Sequence, residues 1–155
     1  MALFTKREVK EGKPIIANEL RYCDLNFLRG ARWEDYSDKD FVSFVCDEDN
    51  FGPGFKKYLG YGNYNGSVSV SYSPDGGYIR MEMYFGANTI SVSAMRSNAD
   101  FISSIMGFDV DIMAPGTNGL RYPNVCVSKM GVSFSELKNQ FQNLIITAAQ
   151  VVNAD

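Results

Sequence analysis

The chain has 155 residues, 45% of them apolar and 21% charged, with fifteen Lys and Arg against eighteen Asp and Glu for a net charge of −3. That length suits one ordinary domain and that apolar fraction supports a buried core, while the acidic balance argues against duplex DNA, which calls for a basic face. There is no histidine. Its absence removes Ser-His-Asp and Cys-His nucleophiles, histidine general bases and every His-containing metal site.

Cys23, Cys46 and Cys126 are odd in number and form no CxxC pair. A zinc knuckle or a thioredoxin-type redox motif is therefore excluded, and three small, reduced thiols are expected. The N-terminal MALFTKREVKEGK is charged by Lys6 and develops no apolar leader core. No run approaches the ~18 consecutive apolar residues of a membrane span. These features predict a cytoplasmic protein with no membrane partner and no cofactor. Residues 1–50 hold 19 of the 33 charges, leaving 14 for the remaining 105 positions. A charge-poor surface of that kind resembles an interface core more than a solvated rim. The organisation expected is a single domain over 1–155, with residues 1–40 as a polar N-terminal extension.

In chain order, Ile15–Leu28 reads as a helix and Phe41–Cys46 as a strand. Asp47-Glu48-Asp49-Asn50 follows, and then a Gly- and Tyr-rich run over residues 52–66. Ser67–Tyr72 and Tyr78–Phe85 alternate strictly between apolar and polar residues, with the turn chemistry Pro74-Asp75-Gly76-Gly77 between them. A four-residue loop pairs Ser73 with Tyr78, Val70 with Met81 and Val68 with Met83, placing every apolar side chain on one face. A shorter loop would set Val70 against Arg80, so the pattern selects the register. Thr89–Met95 alternates again and predicts the third strand of a meander. Asn98 as N-cap, the stripe Phe101, Ile102 and Ile105, and Gly107 as the stop predict a short helix. Phe108–Ile112 and about Tyr122–Met130 are further strands. Ser133 and Glu136 read as a capping box stapled by Val132 and Leu137. Phe134, Leu137, Phe141, Leu144, Ala148 and Val151 then give a long amphipathic helix to pack on the sheet. The fold class is α+β, an antiparallel sheet covered by the C-terminal helix.

This order, strand-strand-strand, short helix, strand-strand, long C-terminal helix, resembles the type III secretion chaperone-like fold shared by secretion chaperones and YbjN-like proteins. The resemblance covers roughly residues 67–152 and rests on element order, with no sequence motif. It implies a small, acidic, cytoplasmic protein without a catalytic constellation, but it carries over no binding residue. The family's N-terminal helix followed directly by the meander has no clear counterpart in the sequence, because Phe41–Cys46 and the Gly/Tyr run intervene.

Four groups of residues are candidates for chemistry or binding. Asp47, Glu48, Asp49 and Asn50 offer hard oxygen ligands, but without EF-hand spacing they suit a solvated loop better. Asp109 and Asp111 share one strand face, suited to a metal or an acid–base pair, and equally to the polar side of a half-buried strand. Phe55, Tyr58, Tyr61 and Tyr64 lie in the Gly-rich run with Lys56 and Lys57 as its only charges. Such rings can stack on bases, sugars or a partner's apolar groups, or fold back to cap the core. Ser67, Ser69, Ser71, Ser91 and Ser93, with Arg80, Glu82 and Tyr84, would carpet the sheet face opposite the core. Together these predict a non-enzymatic protein-binding module, chaperone- or adaptor-like, which buries a partner's apolar segment. The residues in contact would be Phe55, Tyr58, Tyr61, Tyr64, Ser69, Ser71, Tyr84 and Ser91. A protein partner is expected, and a homodimer is compatible with the sequence. A phage-type or host-defence inhibitor fits the same features. A carbohydrate- or nucleotide-binding domain using the Tyr-rich loop and a metal-assisted hydrolase built on Asp47, Asp49, Asp109 and Asp111 are the other readings.

Overall fold

The computed structural model describes residues 2–23, 28–53, 66–85, 92–114 and 123–152. In chain order these give helix α1 (Ala2–Arg21), strands β1 (Glu34–Asp35), β2 (Val42–Asp47), β3 (Gly66–Ser73) and β4 (Tyr78–Phe85), helix α2 (Val92–Met106), strands β5 (Asp109–Met113) and β6 (Asn124–Lys129), and helix α3 (Leu137–Val151). The strands form one antiparallel sheet ordered β1-β2-β3-β4-β6-β5. The protein is α+β.

Alternation sets the centre of this sheet. The β3–β4 hairpin pairs Ser73 with Tyr78, Tyr72 with Ile79, Val70 with Met81 and Val68 with Met83, the register that the apolar pattern requires. Val68, Val70, Tyr72, Ile79, Met81 and Met83 are all buried, joined from β2 by Val42, Phe44 and Cys46 and from β6 by Val125 and Val127. The helices cover this face. Leu137, Phe141, Leu144, Ile145, Ala148 and Val151 of α3 are buried against it, as are Val9, Ile16 and Leu20 of α1. Gly12 lets α1 come close: a Cβ there would stand 3.1 Å from Leu137 Cδ2.

Five expectations need correction. Residues 2–21 are not a polar extension but helix α1, thirteen residues longer at its start than the apolar run from Ile15 suggests. The buried positions Val9, Gly12, Ile16 and Leu20 recur at helical spacing, but Pro14 and the surrounding charges conceal them. The helix expected up to Leu28 ends at Arg21.

The meander is also displaced by one strand. Thr89–Met95 does not extend it, because Val92–Met95 open α2. The free edge of β4 is taken instead by β6, with Ile79 opposite Lys129, Met81 opposite Val127 and Met83 opposite Val125. Val92, Met95, Ala99, Ile102 and Met106 repeat at 3-4-3-4 spacing and turn inward, a helical stripe that outweighs the short alternation Ile90-Val92-Ala94. The three meander strands are therefore β2, β3 and β4.

Within α2, the expected stripe is only partly right. Ile102 packs on the core, but Phe101 and Ile105 face outward. Gly107 does end the helix, with φ +72°.

The capping box takes another form. Ser133 Oγ donates to Glu136 Oε1 at 2.6 Å rather than accepting from the backbone. The first turn, Phe134–Glu136, is a 3₁₀ turn leading into α3.

Candidate functional site

Among the described residues, all three helices lie on one side of the sheet and no element covers the other. Cross-strand register builds it in three rows. One row runs Ser43, Ser71, Arg80, Ser128 and Asp109; the next runs Glu34, Val45, Ser69, Glu82, Cys126 and Asp111; the third runs Asp47, Ser67, Tyr84, Asn124 and Met113. Glu34, Asp47, Asp109 and Asp111 are exposed and the other residues of these rows are half-buried, with Asn124 Oδ1 buried. In these three rows β3, β4 and β6 contribute nine residues, of which only Arg80 and Glu82 are charged. Arg80 Nη1 and Glu82 Oε2 stand 4.0 Å apart, the outer limit of an ion pair. The remaining carboxylates, Glu34, Asp47, Asp109 and Asp111, lie on β1, the end of β2 and β5. The face is thus rich in hydroxyl and amide groups, with the loose Arg80–Glu82 pair at its centre and further carboxylates at its margins.

Cys126 sits at the middle of this face between Glu82 and Asp111. Burial pushes its thiol up; nearby Arg80 acts the other way, while Glu82 and Asp111 add to the rise. It is thus a protonated, weakly nucleophilic group at neutral pH. Cys46, buried on the inner face, is pushed up to about 12, chiefly by burial. None of the three cysteines is in a disulfide, and Cys23 and Cys126 are half-buried.

Ser69, Ser71 and Tyr84 lie on the open face as expected, together with Ser67, Arg80 and Glu82. Ser93 does not, because it is an exposed residue of α2. Ser91 lies outside the described residues, as do Phe55, Tyr58, Tyr61 and Tyr64. Asp109 and Asp111 do share a face, and it is the same face as the serines. Sequence reasoning missed Ser43, Val45, Asn124, Cys126 and Ser128. The alternation of Val125 and Val127 with Asn124, Cys126 and Ser128 carried that signal, but it needed the β4–β6 pairing to place it.

The acidic turn after β2 serves the fold. Glu48 Oε2 accepts the Gly66 N–H at 3.2 Å, at the start of β3. Asn50 Nδ2 donates to Glu34 Oε1 at 3.0 Å, and Asn50 O accepts from the Arg32 N–H at 3.0 Å. Asp47 and Asp49 point to solvent. Among the described residues, no three Asp, Glu or Cys side chains come together as a cation site.

On the helical side, a shallow groove of about 450 Å³ lies between α1 and α3, lined by Ile15, Asn18, Glu19, Tyr22, Lys138 and Gln142. The Gln142 Nε2 to Glu19 Oε2 hydrogen bond of 2.8 Å ties its walls together. No described helix is long and apolar enough to cross a membrane. Compared with family models, curated proteins and solved structures, the chain matches none.

Proposed function

We propose that the protein is a non-enzymatic, cytoplasmic binding module, chaperone- or adaptor-like, which takes a segment of a partner protein on the open face of its sheet. The observation that carries this reading is the composition of that face: Ser67, Ser69, Ser71, Ser128 and Asn124 around Cys126 and Tyr84, with Arg80 and Glu82 as the one opposite-charge pair at the centre and further carboxylates at the margins. A hydroxyl or amide can exchange its water for a partner's backbone groups, whereas a buried lysine or glutamate forfeits far more hydration. Among the described residues of 67–152, the third strand of the order on which the resemblance to secretion chaperones and YbjN-like proteins rests is absent; with β2 as the first meander strand instead, the order three strands, helix, two strands, last helix is kept. That order supports the chaperone-like role. Phe55, Tyr58, Tyr61 and Tyr64 precede β3 in the chain and are proposed to extend the contact.

Site-specific photocross-linking in cells tests the proposal. A cross-linking side chain at Ser69 or Ser71 should give a discrete protein adduct, and one at exposed Lys10 of α1 should not. Adducts at Lys10 with none at Ser69 and Ser71 would overturn the reading. Alanine variants of Tyr58, Tyr61 and Tyr64 should weaken the adduct at unchanged melting temperature.

A further inference from the structure

Helix α2 carries more apolar surface than its own core uses. Val92, Met95, Ala99, Ile102 and Met106 turn toward the core, and the helix packs on α3 and β5. Phe101 and Ile105 stand one turn apart on the other side with 66% and 62% of their surface exposed. Beside Phe101 on the outward face, earlier in the helix, are Ser97 and Ala94, both small and exposed. The helix itself is held firmly. Asn98 Nδ2 donates to Val151 O at 3.4 Å, and Ser103 Oγ donates to Phe108 O at 2.7 Å beyond the helix end.

We propose that this outward face joins two copies of the chain, α2 lying antiparallel to α2 of the second copy about a two-fold axis level with Asn98. At about 1.5 Å rise per residue, that axis brings Phe101 of each copy level with the gap between Ala94 and Ser97 of the other. A large ring then seats over two small residues, as ridges seat in grooves. The same axis brings Arg96 level with Asp100 of the other copy, both exposed on one flank of the helix. A two-fold contact makes every such pair twice. One helix face thus holds both halves of the contact, large with small and positive with negative. That self-complementarity is what commits the site to a second copy rather than to an unrelated partner.

Light scattering and sedimentation of the full chain, from low micromolar to millimolar concentration, test this. The native chain should reach twice 17.3 kDa. Phe101→Asp should remain monomeric with its melting temperature unchanged, because Phe101 is mostly exposed in the single chain. Arg96→Asp should weaken dimerisation by about tenfold, and Arg96→Asp with Asp100→Arg should restore it. A native chain that stays monomeric throughout, or a Phe101→Asp dimer, would overturn the proposal. A charge swap that fails to restore what the single reversal loses would overturn the antiparallel register.

Discussion

Alanine at Gly77 should destabilise the protein far more than alanine at Gly76. The two glycines share the β3–β4 turn, and both have left-handed backbone, with φ +84° at Gly76 and +61° at Gly77. Each substitution therefore carries a similar conformational cost, about 1 kcal/mol. Their surroundings differ. A Cβ on Gly76 meets nothing within 4 Å, whereas one on Gly77 would fall 2.2 Å from Val132 O and 2.8 Å from Val132 N. Val132 has little room to retreat: its side chain is 3% exposed, and its N–H donates to Gly77 O at 2.9 Å. The Gly131 N–H likewise donates to Gly76 O at 3.2 Å. Gly77→Ala must strain or break these bonds, about 1 kcal/mol each, and shift the lead-in to α3. The expected losses are about 1 kcal/mol for Gly76→Ala and about 3 kcal/mol for Gly77→Ala. Urea unfolding followed by circular dichroism measures both. Equal losses at the two positions would refute the idea that the hairpin turn is locked to the start of α3.

Phe141→Ala, which empties a fully buried site on α3, should cost about 3–5 kcal/mol in the same assay. Ser133→Ala should cost less than about 0.5 kcal/mol, because Ser133 bonds an exposed Glu136 carboxylate and caps no backbone N–H. Burial works against ionisation of Asp35, but hydrogen bonds from Lys13 and Ser37 outweigh it and hold the carboxyl below 3.8. That contribution is complete above pH 3.8 and is lost as the pH falls through the lower folded value, so Asp35→Asn should flatten the acid limb of the urea midpoint. At the alkaline end, burial pushes Tyr72 and Cys46 up to about 12, from 10.0 and 9.0. Their stabilisation is full below pH 9 and declines as the pH rises toward 12, and Tyr72→Phe should remove the tyrosine's share of that decline.

Period-two alternation was readable wherever both faces of a strand differ, which is why the β3–β4 register could be deduced from residues 67–85 alone. The same rule misled at Ile90-Val92-Ala94, where three apolar residues also satisfy a helical stripe running on to Met106. Only the competition for the β4 edge decides between them, and β6 wins it through Val125 and Val127. Helix α1 was hidden because Gly12 is a buried contact that carries no apolar signal, and Pro14 interrupts the pattern. For the open face, Ser69, Ser71 and Tyr84 could be assigned from local alternation. Cys126, Ser128 and Val45 could not, since their membership depends on strand order rather than on any neighbour in sequence.

Hydroxyl-radical footprinting of the full chain, alone and with the partner recovered by cross-linking, tests the central claim most directly. Tyr84 and Cys126 lie on the open face, whereas Tyr22 lies on the helical side with 73% of its surface exposed. A partner seated on the sheet should slow oxidation of Tyr84 and Cys126 and leave Tyr22 unchanged. Protection of Tyr22, with Tyr84 and Cys126 reacting as fast as in the free protein, would place the partner on the α1–α3 groove and contradict the account.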